Sequence, residues 1–334
     1  MGKYVIKRLL QLIPVVLGIT FLSFAMMRLA GGDAVTYMYE NAGTAVSQEV
    51  INEARAEYGL DQPFLVQYGK WLKGMLTGNL GESYVSHQDV AASFAAKLPA
   101  TLLLAAVSLF FTILIALPLG ILSAVKKNRW IDFVIRFFSF IGNSMPGFFA
   151  ALVLMYFFSI RLQWLPVITT KNLGKSIVLP AMTLVLSMAS KYTRQIRAAV
   201  LEELGKDYVT GARARGIRSS VIIGKSVLRA SMLTILTLLA LSAGSLLGGT
   251  AIVETIFMWD GVGKMAVDAI TMRDYPVIQA YVVWMAVIYV LVNLVVDLLY
   301  HWLDPRVRLG GERRRMSAGG HREGTGSGTV ASDL

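Results

Sequence analysis

The sequence predicts an all-α, polytopic membrane protein of about six transmembrane helices, and three observations predict it. Hydrophobic residues make up 55% of the chain and charged residues only 16%, against about 25% charged in ordinary soluble domains. Six apolar segments reach the roughly 20 residues that a helix needs to cross the hydrocarbon core. Lys and Arg are also spread unevenly among the connecting loops, as the positive-inside rule requires of a membrane protein.

The first span is expected near 9–29, after Lys3, Lys7 and Arg8. It opens like a signal peptide, but its apolar run is about spanning length and no A-x-A cleavage site follows, so it reads as a retained helix. The other spans are expected near 100–125, 134–160, 177–199, 229–258 and 277–302. Pro14, Pro118, Pro146, Gly244 and Gly248 fall inside them. Such breakers survive where neighbouring helices or water satisfy the freed backbone groups, which fits a packed bundle around a path.

Placing the N-terminus in the cytoplasm gives the pieces 1–8, 126–136, 191–229 and 303–334 a total of 22 of the 32 Lys and Arg, while 30–99 carries eight acids. The expected topology is therefore N-in and C-in, with 30–99 as an external region and 191–229 as a long cytoplasmic loop. Within 30–99, "SQEVINEARAEYGL" begins with a candidate N-cap at Ser47, and "QYGKWLKGML" reads as an amphipathic interfacial helix. The segment 309–334, rich in Gly and carrying "ERRRM", reads as a disordered cytoplasmic tail beyond a membrane domain at 1–308.

Catalytic chemistry finds little support. The chain has no Cys and three His, which removes thiolate metal sites, Cys nucleophiles and His-rich centres. It contains no GxxxxGK[ST], HExxH or GxSxG, so phosphate cradles, zincin sites and hydrolase elbows are absent. Net charge is +11, and loop placement accounts for it without nucleic acid. Intramembrane acids mark function when they occur. Glu254 falls near the external end of the fifth span, and Asp297 near the cytoplasmic end of the sixth, where a proton relay competes with a plain helix-end ion pair. Candidate path residues are Met145, Pro146 and Glu254; no metal ligand set is expected.

The stretch "DYVTGARARGI", Asp207 to Ile217, is the most distinctive polar segment. On a wheel of 3.6 residues per turn, Tyr208, Val209, Ala212 and Gly216 fall within about 100° of arc. Lys206, Asp207, Arg213, Arg215 and Arg218 largely surround them. A small-residue stripe admits close approach, and flanking charges fix register and exclude wrong partners. A docking surface and an ordinary positive-inside loop are both compatible with this pattern.

These residues resemble the membrane subunits of binding-protein-dependent ABC importers, in the branch for dipeptides, oligopeptides and nickel. That branch's coupling loop reads D-Y-[IV]-x-x-A-R-A-[KR]-G, and Asp207, Tyr208, Val209, Ala212, Arg213, Ala214, Arg215 and Gly216 reproduce it. The similarity runs almost to Arg308 through "YVIKRLLQLIPVVLGITFLSF", "GLDQPFLVQYGKWL", "GNLGESY", "LPATLLLA", "PLGILSAVKKNRWID", "SMPGFF", "GGTAIVETIFMWDGVGKMAVDAITMRDYPVIQA" and "NLVVDLLYHWLDPRVR". Departures are "RLAGGDAV" without the branch's two Pro, Trp259-Asp260-Gly261-Val262-Gly263 for W-P-G-[LV]-G, Thr210 where the broader loop pattern has Glu, and Ser226-Val227-Leu228-Arg229 for I-x-L-P.

The resemblance implies a type I importer permease fold with a cytoplasmic coupling helix, in a bacterial inner-membrane protein. It implies a second permease subunit, two cytosolic subunits that bind ATP and Mg, and an extracytoplasmic binding protein, with no cofactor and no catalysis in this chain. Loop 203–218 would dock on the ATPase, with Tyr208, Ala212 and Gly216 in close contact and Asp207, Arg213 and Arg215 orienting it. The substrate would be nickel, free or chelated, or small peptides; the lack of a long insertion near Leu162 to Pro166 is similar to the shorter nickel and metallophore members. A gradient-driven secondary transporter and a structural membrane anchor are the rival readings.

Overall fold

Apolar segments of this length can satisfy their backbone in lipid only by coiling into helices. The computed structural model describes residues 2–29, 35, 47–169 and 173–303. Its main helices are α1 (Gly2–Leu29), α2 (Gln48–Glu57), α3 (Phe64–Leu76), α4 (Val90–Val125), α5 (Trp130–Ser144), α6 (Gly147–Met155), α7 (Val178–Leu204), α8 (Asp207–Ala214), α9 (Leu228–Ile256), α10 (Val262–Met272) and α11 (Tyr275–Leu303). A π-helical turn, Tyr156–Arg161, continues α6, and another, Ile222–Val227, leads into α9. The expected tail at 309–334, most of 30–46 and the side chain of Asp297 lie outside the described residues.

Each expected span falls on a helix, with one correction. Segments 90–125, 173–204 and 275–295 are long and apolar enough to cross a membrane as single helices. The third expected span, 134–160, is instead broken: α5 and the helix Gly147–Arg161 meet at a bend of 102°. The cause is local. Pro146 disfavours helical geometry in the residue before it, and Met145 has ψ 127, an extended conformation. Another boundary moves because α4 begins ten residues before its expected start. Asp89 caps it, its Oδ1 accepting from Ala92 N at 2.6 Å. Ser47 does occupy the N-cap position of α2, but its hydroxyl makes no capping bond.

The bundle is organised around α7, which packs along α4 over the greatest length and also meets α5, α6 and α9. On α4, Ser108, Thr112, Ala116, Gly120 and Ala124 are all buried, four residues apart on one face. This small-residue seam lets helix backbones approach closely, the usual basis of packing inside membranes. A Cβ on Gly120 would stand 2.7 Å from Cβ of Ile196 on α7, and one on Gly142 of α5 would stand 2.1 Å from Oγ of Ser190. Both glycines are therefore conditions of the packing.

Where α4, α5 and α7 converge beside the loop, Asp132 is fully buried. Its carboxylate takes both Nε and Nη2 of Arg197 at 2.8 Å, Oγ of Ser123 at 2.5 Å and the N–H of Asn128 at 2.9 Å. A bidentate pair with both oxygens satisfied is the geometry in which a buried charge is tolerated. At the opposite end of the bundle, Asp274, between α10 and α11, pins loop 82–88. Ser83 Oγ donates to it at 2.5 Å and Tyr84 N at 3.1 Å. Next to it α3 lies against α1 through edge-on contacts of Phe64 and Tyr68 with Phe21 and Phe24.

Two outcomes follow from these ties. Arg197→Ala strands the Asp132 carboxylate and lowers unfolding stability in detergent by about 3–5 kcal/mol; the double variant with Asp132→Asn loses less than the two single losses combined. Burial pushes the Asp274 carboxyl above its ordinary value, against the opposing pull of Ser83 and Tyr84. The folded protein thus holds that proton more tightly than the unfolded chain. The contribution to stability is full below the usual carboxylate range and is lost as pH rises through the raised value. Thermal unfolding of Asp274→Asn beside wild type, from about pH 4 to about pH 7, should show the wild type losing stability relative to the variant.

Candidate functional site: the loop helix and its supports

The segment 205–217 becomes a helix with both ends defined by its own residues. Lys206 is extended at the N-cap, and Asp207 places an acid in the first turn, where the helix dipole favours it. Arg215 is the C-cap and Gly216, with φ 75°, follows it. Gly216 N–H donates to Arg213 O at 2.9 Å and Ile217 N–H to Ala212 O at 3.2 Å, which is the Schellman arrangement that asks for glycine at this position. Gly216 therefore terminates α8; it is not part of a helical contact stripe.

The structure divides the face found on the wheel: Val209 and Ala212 turn inward, while Tyr208 and Gly216 stay exposed. Val209 is fully buried and Ala212 is 8% exposed. Both join one cluster with Ile196 and Val200 of α7, and with Ile222 and Val227 of the π-helical turn. The expectation that Ala212 supplies close contact to a partner is thereby corrected: the small stripe seats α8 on its own bundle. The surface left outward is Asp207, Thr210, Gly211 and Ala214, with Tyr208 and Arg215 on one flank and Arg213 on the other, all exposed. A Cβ added at Gly211 would meet nothing within 4 Å. Tyr208 is 41% exposed, and its hydroxyl donates to Glu203 Oε2 at 3.0 Å, while Lys206 pairs with the same carboxylate. These contacts tie the helix to Glu203 at the end of α7.

The candidate path residues separate. Met145, half-buried, and Pro146, exposed, form the break between α5 and α6. Glu254 lines no open surface, which corrects the expectation for it. It is completely buried, accepting from Thr101 Oγ1 at 2.9 Å and from Lys264 N–H at 2.9 Å. Thr101 Oγ1 in turn accepts from Val262 N–H at 2.9 Å, and Trp259 Nε1 donates to Ala100 O at 3.0 Å. The "ETIFMWDGVGK" stretch is thus a knot that ties the end of α9 and the start of α10 to α4. A Cβ at Gly261 would fall 2.4 Å from Thr101 Oγ1, and one at Gly263 2.7 Å from the Ala251 backbone. The missed signal was the pair of glycines: their spacing to Glu254 reports close backbone approach to a buried carboxyl. Among the described residues no group of three or more His, Cys, Asp or Glu is gathered as for a metal ion.

A helical bundle with several membrane-length helices, a broken span and a seated loop helix defines a polytopic membrane protein. Comparison with known proteins makes this specific. Residues 116–309 match the model described as "Binding-protein-dependent transport system inner membrane component", and 1–105 match the N-terminal model of the same kind of component. The chain is 39% identical over 317 residues to the oligopeptide transport system permease protein AppB of Bacillus subtilis (92% of this chain, 99% of that one). It is 38% identical to the glutathione permease GsiC of Salmonella choleraesuis (92% and 99%) and 35% identical to the dipeptide permease DppB of Alkalihalophilus pseudofirmus (92% and 100%). The chain belongs to the binding-protein-dependent transport system inner membrane component family, as a permease of the peptide group of ABC importers. In solved structures its fold matches the MetNI methionine ABC transporter in inward-facing conformation, with TM-score 0.54 and 17% identity, covering 64% of this chain and 96% of that one. An amino acid ABC transporter matches with TM-score 0.51 and 15% identity (63% and 94%). These likenesses concern the fold.

The knot yields a direct test. Gly261→Ala forces Thr101 and Glu254 apart and lowers thermal stability in detergent by about 1–3 kcal/mol, whereas Gly211→Ala, in open space inside a helix, keeps or raises stability by up to about 1 kcal/mol.

Proposed function

We propose that this protein is a non-catalytic pore subunit of an ATP-driven importer of small peptides. It pairs with a second permease subunit, two cytosolic ATP-binding subunits and an extracytoplasmic substrate-binding protein, in a bacterial inner membrane with both termini in the cytoplasm. The observation that carries the reading is the seating of α8: one face locked into the bundle by Val209 and Ala212, the other small, charged-rimmed and open. That is the form of a lever that another protein grips. ATP-driven closure of the partner subunits would move α8 as a rigid piece, and α7 would carry the motion into the bundle. Interfaces and packed cores are bistable, so such a shift can exchange two discrete arrangements.

In this reading Asp207, Thr210, Gly211 and Ala214 face the ATPase, Tyr208, Arg213 and Arg215 fix register, and Ala212 and Gly216 shape the helix itself. Met145 and Pro146 belong to the path by virtue of the break they create. The AppB, GsiC and DppB relatives are named for oligopeptides, glutathione and dipeptides, which supports the peptide side of the peptide-or-nickel alternative. The ion-gradient reading gains no support from any of these relatives.

Reconstitution with the partner subunits decides between the readings: uptake that requires ATP and binding protein supports the importer, and uptake by the lone chain on an ion gradient overturns it. Gly211→Trp is the sharper probe of the lever. It should leave the complex in the membrane with unchanged thermal stability and lower ATPase activity stimulated by the loaded binding protein at least tenfold. Coupling at wild-type level in Gly211→Trp would rule out the outward face as the docking surface. Gly216 is a poorer probe, because any side chain there is strained at φ 75°.

A further inference from the structure

The central helix carries a cation where an apolar wall is expected. Lys191 lies about 20 Å along α7 from Val178, at about 1.5 Å per residue, and its side chain is exposed. Its Nζ stands 5.6 Å from the centre of the Tyr192 ring. In the structure Lys191 lies within the candidate span 173–204 and not in a loop, where a cation is costly against lipid and normally faces a water-filled cavity or a protein partner. Lys191 does border a cavity, of about 270 Å³, close to the lower end of small-molecule sites at about 300–1,000 Å³.

The walls of that cavity are mostly apolar, and Lys191 is the charged side chain among them. Ser187 and Thr183 stand one and two turns before Lys191 on the same face of α7 and also line it. Thr183 Oγ1 donates to Leu179 O at 2.9 Å, so among the lining hydroxyls Ser187 and Tyr192 remain to donate to a solute. Opposite them are Gly147 and Phe148, the first residues of the nine-residue helix α6. The break at Met145 and Pro146 therefore brings the start of α6, with its unpaired first N–H groups and positive dipole end, to the border of the same space. A Cβ on Gly147 would meet nothing within 4 Å, so a solute can reach that backbone directly. No acidic side chain lines the cavity.

We propose that this cavity is an anion subsite on the translocation path, which holds the carboxylate of the transported solute between Lys191, Ser187 and the N-terminus of α6. The proposal rests on the importer reading and deepens it: the broken span builds the half-helix that receives the anionic end of a peptide. Anionic lipid offers the same chemistry from another source, and the experiment separates the two.

The chain contains no cysteine, so Ser187→Cys gives this chain a single thiol, and labelling is read on this chain alone by mass spectrometry after separation from its partners. The complete complex carrying it is reconstituted in phosphatidylcholine vesicles and labelled with anionic (sulfonatoethyl) and cationic (trimethylammonioethyl) methanethiosulfonates, nucleotide-free and vanadate-trapped. Rates are normalised to a small free thiol. The expected result, in at least one state, is a preference for the anionic reagent of at least tenfold. In Ser187→Cys with Lys191→Gln it falls to within about twofold of parity, and Lys191→Arg retains it. Labelling only by a lipophilic maleimide would place the cavity against lipid and overturn the proposal, as would an anion preference unchanged by Lys191→Gln. Loss of labelling when phosphatidylglycerol is added would assign the site to a lipid headgroup and overturn it likewise. None of these readings requires transport, so failure of ATP-driven uptake would sink the importer reading separately.

Discussion

The structure depends on how closely α4 and α5 approach α7. Gly120 and Gly142 allow contacts with Ile196 and Ser190 that a methyl group would forbid. Lipid tails are as apolar as leucine, so burying apolar side chains does little to hold such helices together; close packing and polar ties must do it. The seam of Ser108, Thr112, Ala116, Gly120 and Ala124 supplies the packing, and the Asp132–Arg197 pair, with Ser123 and Asn128, supplies the tie.

That arrangement explains why the loop helix can act as a lever. α8 is short, and a helix of eight residues has little stability of its own. It is held because Val209 and Ala212 sink into the same cluster that contains Ile196 and Val200 of α7. The Asp132–Arg197 clamp fixes α7 one step away, since Arg197 lies between those two residues in sequence. At the other end, the Glu254 knot joins α9, α10 and α4, and Asp274 ties loop 82–88 to the start of α11. Between the two tied ends lies the broken span at Met145 and Pro146, where the backbone is least constrained by helical continuity.

Much of this was legible in the sequence. Length and hydropathy located helices at all six expected segments, of which three, or four with the broken pair, are long and apolar enough to cross a membrane among the described residues. Pro146 marked the break, although it was read as a tolerated kink inside a single span. The coupling motif was legible as a pattern, while the burial of Ala212 among its exposed residues was not. A helical wheel identifies a small face but carries no sign for inside or outside. Ala212 and Gly216 looked like a surface for a partner because small residues serve close approach equally well in both directions. Glu254 misled for a related reason: an acid near a span end signals function only if it is open, and although Gly261 and Gly263 hinted at close packing, Thr101, which completes the enclosure, is distant in sequence.

Composition, periodicity and turn chemistry are local, and by themselves they determined the helices, their approximate ends, the membrane setting and the family pattern. Tertiary structure alone decided which face of α8 is free, that Glu254 is sealed, that Asp132 finds Arg197, and that Lys191 and the start of α6 border one cavity. Each of these joins residues far apart in the chain, and a pairwise approach of that kind is set by packing of whole helices, on which a single sequence is silent.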